Sequence, residues 1–169
     1  MELIDIVPEF NLYEEYWKIY TKSTSITPQF FGPESAIERT IAGEGTEIYG
    51  KVYSSVIGCD VTIGEGSVVR NSIIMNGTVI GAGCTLDKVI CAENSVIGDG
   101  TVLGEGEEVP NDTRPDIYCA GLVTIGEGTV IPAGVRIGKN VMISGHTTEG
   151  DYPDGRLASG RTLEKEVEA

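Results

Sequence analysis

A six-residue repeat runs through most of this chain and restricts its fold more than any other feature. Each unit begins with a large aliphatic residue, usually continues with glycine, and has a small or β-branched residue at its fifth position. The units are IGCDVT from Ile57, IGEGSV from Ile63, IMNGTV from Ile74, IGAGCT from Ile80, IGDGTV from Ile97, IGEGTV from Ile125, IPAGVR from Ile131 and IGKNVM from Ile137. A hexapeptide period of this kind is typical of a parallel β-helix.

The spacing of the units predicts the shape of one turn. Ile63, Ile80 and Ile97 lie 17 residues apart, so two full hexads and one shortened side close a triangular turn. The aliphatic and the small residue of each unit should point inward, because side chains alternate between the two sides of a strand. We expect an all-β coil of five to six turns over residues 40–145, interrupted by a loop at 105–121, with a leader at 1–39 and a tail at 146–169.

One side of the predicted coil carries an unbroken column of outward aliphatic residues. The column consists of Ile41, Val56, Ile73 and Ile90. Contiguous exposed apolar surface usually marks a contact site, so we expect this side to pack against another domain, a partner subunit or a loop of the same chain. The alternative is that β-branched residues are tolerated there for their strand propensity alone.

The leader contains a cluster of aromatic residues that must be buried against something. The cluster consists of Phe10, Tyr13, Tyr16, Trp17 and Tyr20. At the other end of the chain, TLEKEVEA from Thr162 has the composition of a short helix.

Composition excludes several classes of function. The formal net charge is −14, and such a chain repels nucleic acids and anionic membranes. No segment is long and apolar enough to span a bilayer, and nothing resembles a signal peptide. The four cysteines show no paired spacing, which argues against zinc and favours reduced thiols in the cytoplasm. They are Cys59, Cys84, Cys91 and Cys119.

The chain offers no evident catalytic residues and no metal site. Most enzymes with hexapeptide coils are acyltransferases, which typically need a histidine on the coil, whereas the single histidine here, His146, follows the last repeat. Without it, no Ser/His/Asp or Cys/His set can be assembled. The repeated GEG and GDG sequences belong to corners of the coil and do not form a phosphate-binding loop.

Several stretches outside and inside the repeat resemble one family. PEFNLYEEYWKIYT, NSIIMNGTVIGAG, EEVPN, VTIGEGTVIPAGVRIGKN and DYPDGRLASGRTL are similar to the C-terminal half of bacterial glucose-1-phosphate adenylyltransferases, also called ADP-glucose pyrophosphorylases. The resemblance implies a left-handed coil that takes part in a homotetramer and in allosteric control by sugar phosphates or other anions. It also implies a separate N-terminal catalytic domain that uses ATP and magnesium to make ADP-glucose for glycogen synthesis. That half is missing here, so we expect the chain alone to be inactive and to hold no cofactor.

The resemblance supplies candidate contacts for a domain of this kind. The aliphatic column and the leader aromatics would meet the catalytic domain or a neighbouring subunit. An anionic effector needs basic side chains, and the candidates that flank the ends of the coil are Lys18, Lys22, Arg39, Arg156 and Arg161. Two alternatives remain, namely another sugar-phosphate nucleotidyltransferase or regulatory paralogue, and an acyltransferase. The upstream reading frame would separate the first of these from the favoured family.

Overall fold

A computed structural model describes residues 27–165 of the chain, together with Ile4, Glu15 and Tyr16. The described part contains twenty short strands, and every strand pair is parallel. The strands form three sheets, which we call faces A, B and C. Consecutive strands step from one face to the next, so the chain winds as a three-sided parallel β-helix.

The strand bounds follow from this winding. Face A contains β1 (Phe30–Phe31), β4 (Glu47–Ile48), β7 (Thr62–Ile63), β10 (Val79–Ile80), β13 (Val96–Ile97) and β16 (Val130–Ile131). Face B contains β2 (Ala36–Glu38), β5 (Lys51–Tyr53), β8 (Val68–Arg70), β11 (Thr85–Asp87), β14 (Val102–Leu103), β17 (Arg136–Ile137) and β19 (Arg156–Leu157). Face C contains β3 (Ile41–Ala42), β6 (Val56–Ile57), β9 (Ile73–Ile74), β12 (Val89–Cys91), β15 (Val123–Ile125), β18 (Val141–Ser144) and β20 (Thr162–Glu164). Two short 3₁₀ helices, Glu149–Asp151 and Pro153–Gly155, precede β19.

The interior register predicted from the repeat is confirmed. Ile80 pairs with Ile63 on one side and with Ile97 on the other, and all three side chains are at most 1% exposed. Equivalent stacks line the other two faces. The apolar lining of the prism is therefore three parallel stacks of mostly aliphatic side chains, each in contact with the turns before and after it.

Small residues at the fifth position of the hexad satisfy the polar groups of the corners. The hydroxyl of Ser67, which is fully buried, donates to the carbonyl of Gly81 at 2.7 Å and accepts from the amide of Cys84 at 2.9 Å. Because buried polar groups are costly when unpaired, this position selects Ser or Thr as well as small apolar residues.

The coil extends beyond both expected boundaries. It begins at Phe30, whose strand pairs with β4, and it ends at Glu164, whose strand pairs with β18. Faces B and C therefore stack seven strands each, more than the five to six turns expected. The added strands at both ends pair through backbone groups that every non-proline residue supplies. One example is the Phe30 amide, which donates to the Thr46 carbonyl at 2.9 Å.

Residues 104–122, which contain the interruption expected at 105–121, form no strand. This segment, which we call the corner loop, leaves after β14 on face B and returns at β15 on face C. In the preceding turn a single residue, Lys88, joins β11 to β12. The corner loop thus replaces a tight corner without changing which strands pair.

Candidate functional site

The C-terminal end of the coil contains an open concavity of about 750 Å³. Its apolar floor includes Ile137, Leu157 and Leu163, which are inward residues of the last strands on faces B and C. Its rim is charged and includes three arginines and three carboxylates. These are Glu105, Arg136, Asp151, Asp154, Arg156 and Arg161.

Two of these arginines lie side by side because of the coil register. Arg136 in β17 pairs with Arg156 in β19, and both side chains point outward on face B. Neighbouring strands are about 4.8 Å apart, so two cationic groups start from adjacent backbone positions. Like charges directly opposite each other are unfavourable, so this pair requires anionic groups nearby.

The corner loop supplies carboxylates to two of the three rim arginines, Arg136 and Arg161. Glu105 Oε2 accepts from Arg136 Nε at 3.1 Å and from Arg136 Nη2 at 2.6 Å. Asp112 Oδ2 lies 3.4 Å from Arg161 Nη1. Within residues 27–165, no carboxylate lies within ion-pair distance of Arg156. Among the described residues, Arg156 is therefore the arginine of this rim that has no carboxylate partner.

A third ion pair closes the tail end of the concavity. Asp151 Oδ1 lies 2.5 Å from Lys165 Nζ. The hydrogen bond from Lys165, together with the Thr148 backbone amide, holds the pKa of Asp151 below its usual value. This carboxylate thus stays ionised and neutralises Lys165.

Two buried asparagines fix the corner loop to the coil. Asn111 is 3% exposed, donates to the Asn140 carbonyl at 2.9 Å, and accepts from the amides of Thr113 and Arg114. Asn140, also 3% exposed, donates to the Val109 carbonyl and accepts from the Gly121 amide at 2.7 Å. Asn140 has φ +55°, a conformation that asparagine tolerates better than most residues. These contacts hold the loop carboxylates beside the arginines.

The structure brings together only some of the predicted effector residues. Arg156 and Arg161 line the same concavity. Arg39 follows β2 at the opposite end of face B, six strand spacings away, or about 29 Å. Lys18 and Lys22 lie outside the described residues. Arg156 and Arg161 are thus the only two of the five that the described part places at one site.

Arg136 was not predicted from the sequence, although a signal for it was present. Five of the 12 basic residues of this acidic chain fall between positions 136 and 165. They are Arg136, Lys139, Arg156, Arg161 and Lys165. Arg136 also occupies an outward position of the repeat, one strand away from Arg156, so the register alone could have placed it at the site.

The aliphatic column predicted on one side of the coil is continuous in the structure. Ile41, Val56, Ile73 and Ile90 pair in succession on face C, and each is half-buried. Thr124 and Met142 continue the column toward the C-terminal end. The apolar part thus spans four strands of a flat face. Its role as a contact with a domain or subunit stays a prediction.

Further apolar surface lies on face A and at the N-terminal end. Val79 and Val96 are adjacent outward residues on face A and are each 41% exposed. Phe31 and Ile37 occupy inward positions of the first turn, yet they are 49% and 38% exposed because no described turn precedes them. Within the described residues, the lining of the prism is therefore open to solvent at its N-terminal end.

The aromatic cluster of the leader falls almost entirely outside the described residues. This applies to Phe10, Tyr13, Trp17 and Tyr20. Tyr16 is described, and its side chain is 99% exposed. Its predicted burial against another domain or subunit stays a prediction that the isolated chain does not test.

The potentially reactive groups of the described part are not gathered into a catalytic site. His146 is exposed, and its backbone bridges to Val130 at the end of face A. Cys84 and Cys91 are buried in the coil, and burial raises the pKa of both thiols, that of Cys91 to about 11. Such thiols are poor nucleophiles at neutral pH. Within the described residues, no group of three or more His, Cys, Asp or Glu side chains is placed to hold a metal ion.

Comparison with known proteins places the chain in a family. The model of the GlmU-like C-terminal hexapeptide family matches residues 31–125. A glucose-1-phosphate adenylyltransferase from Lachnospira eligens is 56% identical over 98% of this chain and 39% of its own length. One from Acetivibrio thermocellus is 37% identical over the same shares. The chain thus spans about two fifths of the length of the curated relatives that it matches.

A solved structure is similar at a lower level. A hexapeptide transferase family protein from Anaplasma phagocytophilum is 15% identical over 80% of this chain and 69% of its own, with a TM-score of 0.45. That likeness is too distant to bear on function. None of the described helices is long and apolar enough to cross a membrane. From its repeat, its fold and the family matches, the chain belongs to the GlmU-like C-terminal hexapeptide family, and its sequence corresponds to the C-terminal part of glucose-1-phosphate adenylyltransferases.

Proposed function

We propose that this chain is the assembly and regulatory domain of a cytoplasmic glucose-1-phosphate adenylyltransferase. The observation that carries the proposal is the 56% identity to such a protein over 98% of the chain. In the whole protein, a separate catalytic domain would bind ATP and magnesium and join ATP to glucose 1-phosphate. The domain formed by this chain would contribute subunit or domain contacts and a site for an anionic effector.

The aliphatic column on face C is the proposed assembly surface. Four half-buried aliphatic residues on a flat parallel sheet present an apolar strip that no element of residues 27–165 covers. Burying such a strip against another protein surface is favourable at about 25 cal/mol per Å² of apolar area. A catalytic domain or a second subunit would supply the covering surface, and the tetramer implied by the family is the assembly we propose.

Charge placed in this column should disrupt the assembled protein. In the full-length protein, we expect Ile73→Glu combined with Ile90→Glu to weaken association by at least about tenfold, because carboxylates would be buried without partners. Light scattering after size exclusion would report the mass, and turnover would report contact with the catalytic domain. Thr62→Glu combined with Thr85→Glu adds the same charge on faces A and B and serves as the control. If the column variant matches this control in both mass and turnover, the column is not a contact surface.

The concavity at the C-terminal end is the proposed effector site. Arginine guanidinium groups bind phosphate through paired charge-assisted hydrogen bonds. Arg156 and Arg161 line the concavity and are exposed to solvent, so a phosphate-bearing metabolite can reach them despite the acidic net charge. Arg161 already contacts Asp112, whereas Arg156 lacks a compensating carboxylate among the described residues.

Charge reversal at these two positions tests the effector site directly. In the full-length protein, we expect Arg156→Glu combined with Arg161→Glu to raise the effector concentration for half-maximal response by about tenfold or more. Turnover without effector should be unchanged, because both residues lie outside the proposed catalytic domain. The measurement is turnover against a panel of sugar phosphates and inorganic phosphate at fixed ionic strength. An unaltered response to every anion that acts on the parent protein would remove the concavity as the effector site.

A further inference from the structure

The Arg136–Glu105 ion pair lies inside the concavity that we propose as the effector site. Glu105 Oε2 uses two donors of one guanidinium edge, Nε and Nη2 of Arg136. A phosphate oxygen binds a guanidinium through the same donors and with the same charge sign. Glu105 therefore occupies a position that a phosphate group on the effector would also take.

The ion pair is weak enough to exchange. The side chains of Arg136 and Glu105 are 46% and 55% exposed, and exposed ion pairs contribute little to stability because water and salt screen them. A phosphate group carries more negative charge than a carboxylate and offers more acceptor oxygens. It can also reach Arg156 on the adjacent strand, which Glu105 is not seen to contact. The exchange thus replaces one weak ion pair with contacts to two arginines.

The backbone around Glu105 permits this exchange. Gly104 and Gly106 flank it, with φ of +86° and +101°, a region that glycine adopts without strain. The amides of Gly104 and Glu105 both donate to the Ile137 carbonyl, at 3.0 and 3.3 Å. The backbone is thereby tied to β17, while the carboxylate can rotate away from Arg136. Glu105 is held near the site whether or not it occupies it.

We propose that Glu105 occupies the anion site in the free protein and that a phosphate-bearing effector displaces it, binding Arg136 and Arg156 together. This inference rests on the proposed effector site. It adds Glu105 as a residue that lowers the affinity of that site for anions. Glu105 acts as an internal competitor, so its removal should strengthen anion binding. If Glu105 instead only positions Arg136, its removal should weaken binding.

The test uses the 169-residue chain and inorganic pyrophosphate as the probe. Titration is followed by the backbone amide shifts of Arg136, Arg156 and Ser159 in ¹⁵N-labelled protein at fixed ionic strength. We expect Glu105→Gln to tighten binding by about three- to fivefold, the upper part of the range for exposed ion pairs. We expect Arg156→Gln to weaken it by about tenfold or more.

A matched control separates the local effect from the change in net charge. Glu65 lies between Gly64 and Gly66, is exposed, and makes no ion pair within residues 27–165. Glu65→Gln should therefore leave pyrophosphate binding close to that of the parent chain. Thermal unfolding of each variant checks that the fold is intact.

The outcomes distinguish this inference from the proposed function. If pyrophosphate does not shift these amides, or if Arg156→Gln binds as the parent chain does, the proposed effector site is wrong and the inference falls with it. If Arg156→Gln loses binding but Glu105→Gln behaves as Glu65→Gln, the effector site stands and the role of Glu105 is wrong. Weaker binding by Glu105→Gln overturns the role of Glu105 as well.

Discussion

Replacing Ile80 with alanine is expected to lower the free energy of unfolding by about 4 kcal/mol. The side chain is 1% exposed and lies between Ile63 and Ile97 in the interior stack of face A. Ile-to-Ala changes in cores cost about 2–5 kcal/mol, because transfer energy is lost and a cavity remains. The upper part of that range applies here, because the backbones of the turns on either side are joined by hydrogen bonds and cannot close the gap.

The adjacent residue provides the control for this change. Val79 lies in the same strand but points outward and is 41% exposed. We expect Val79→Ala to cost less than about 1 kcal/mol, as surface substitutions usually do. Urea unfolding followed by circular dichroism measures the free energy of unfolding of both variants. The slope m of each transition reports whether the variant exposes the same amount of surface on unfolding as the parent chain. Equal losses at positions 79 and 80 would contradict the interior register of the coil.

Gly98→Ala is expected to be a strongly destabilising single-methyl change at a corner of this coil. An added Cβ at position 98 would meet the amide nitrogen of Ala133 and lie 2.7 Å from the carbonyl carbon of Pro132, both in the next turn. These are backbone atoms, so relief requires the two turns to separate. We expect a loss of about 3 kcal/mol, the upper end of ordinary overpacking costs.

Gly100 in the same corner serves as the comparison. It has φ +67°, but an added Cβ would meet nothing within 4 Å. Gly100→Ala should therefore lower the free energy of unfolding only through the backbone preference of alanine, by about 1–2 kcal/mol. Denaturant unfolding of both variants gives the comparison. A larger loss at Gly100 than at Gly98 would show that the close approach of turns does not explain the glycine at the second position of the hexad.

Corner glycines are thus required for two different physical reasons. Backbone angle alone is the usual explanation for a glycine at a corner. The structure separates the two reasons, since Gly98 is required by the neighbouring turn and Gly100 by its positive φ. The two cannot be distinguished from sequence, because the distance between turns is a property of the stacked coil and not of one hexad.

The interior of the coil could be predicted and its ends could not. The stack of Ile63, Ile80 and Ile97 followed from a 17-residue spacing, since burial imposes the same residue type on every turn. At the ends the signal is weaker: Phe31 in β1 keeps the spacing to Ile48 but is aromatic, and Leu163 in β20 lies 20 residues after its partner Ile143. The helix expected from Thr162 is instead the strand β20 at Thr162–Glu164, because pairing with β18 outweighs local propensity.

The candidate site was predicted only in part, for a related reason. Arg156 and Arg161 stood out as charges near the end of the coil. Glu105 belongs to a loop whose path the repeat does not define, and its contact with Arg136 spans 31 residues. The role of the buried asparagines Asn111 and Asn140 could not be predicted either, because residues that hold a loop to the coil follow no repeat.

The position of the corner loop has a consequence for how proteins of this kind change over evolution. The loop leaves and re-enters at one corner, and Val89 still pairs with Val123 across it, with the same interior register as the other turns. Residues inserted at a corner therefore leave the strand pairing of the coil unchanged. A residue inserted within a strand would instead turn the inward side chains that follow it in that strand outward. Descendants of such a coil can acquire new ligand preferences at their corners while the stacked walls stay as they were.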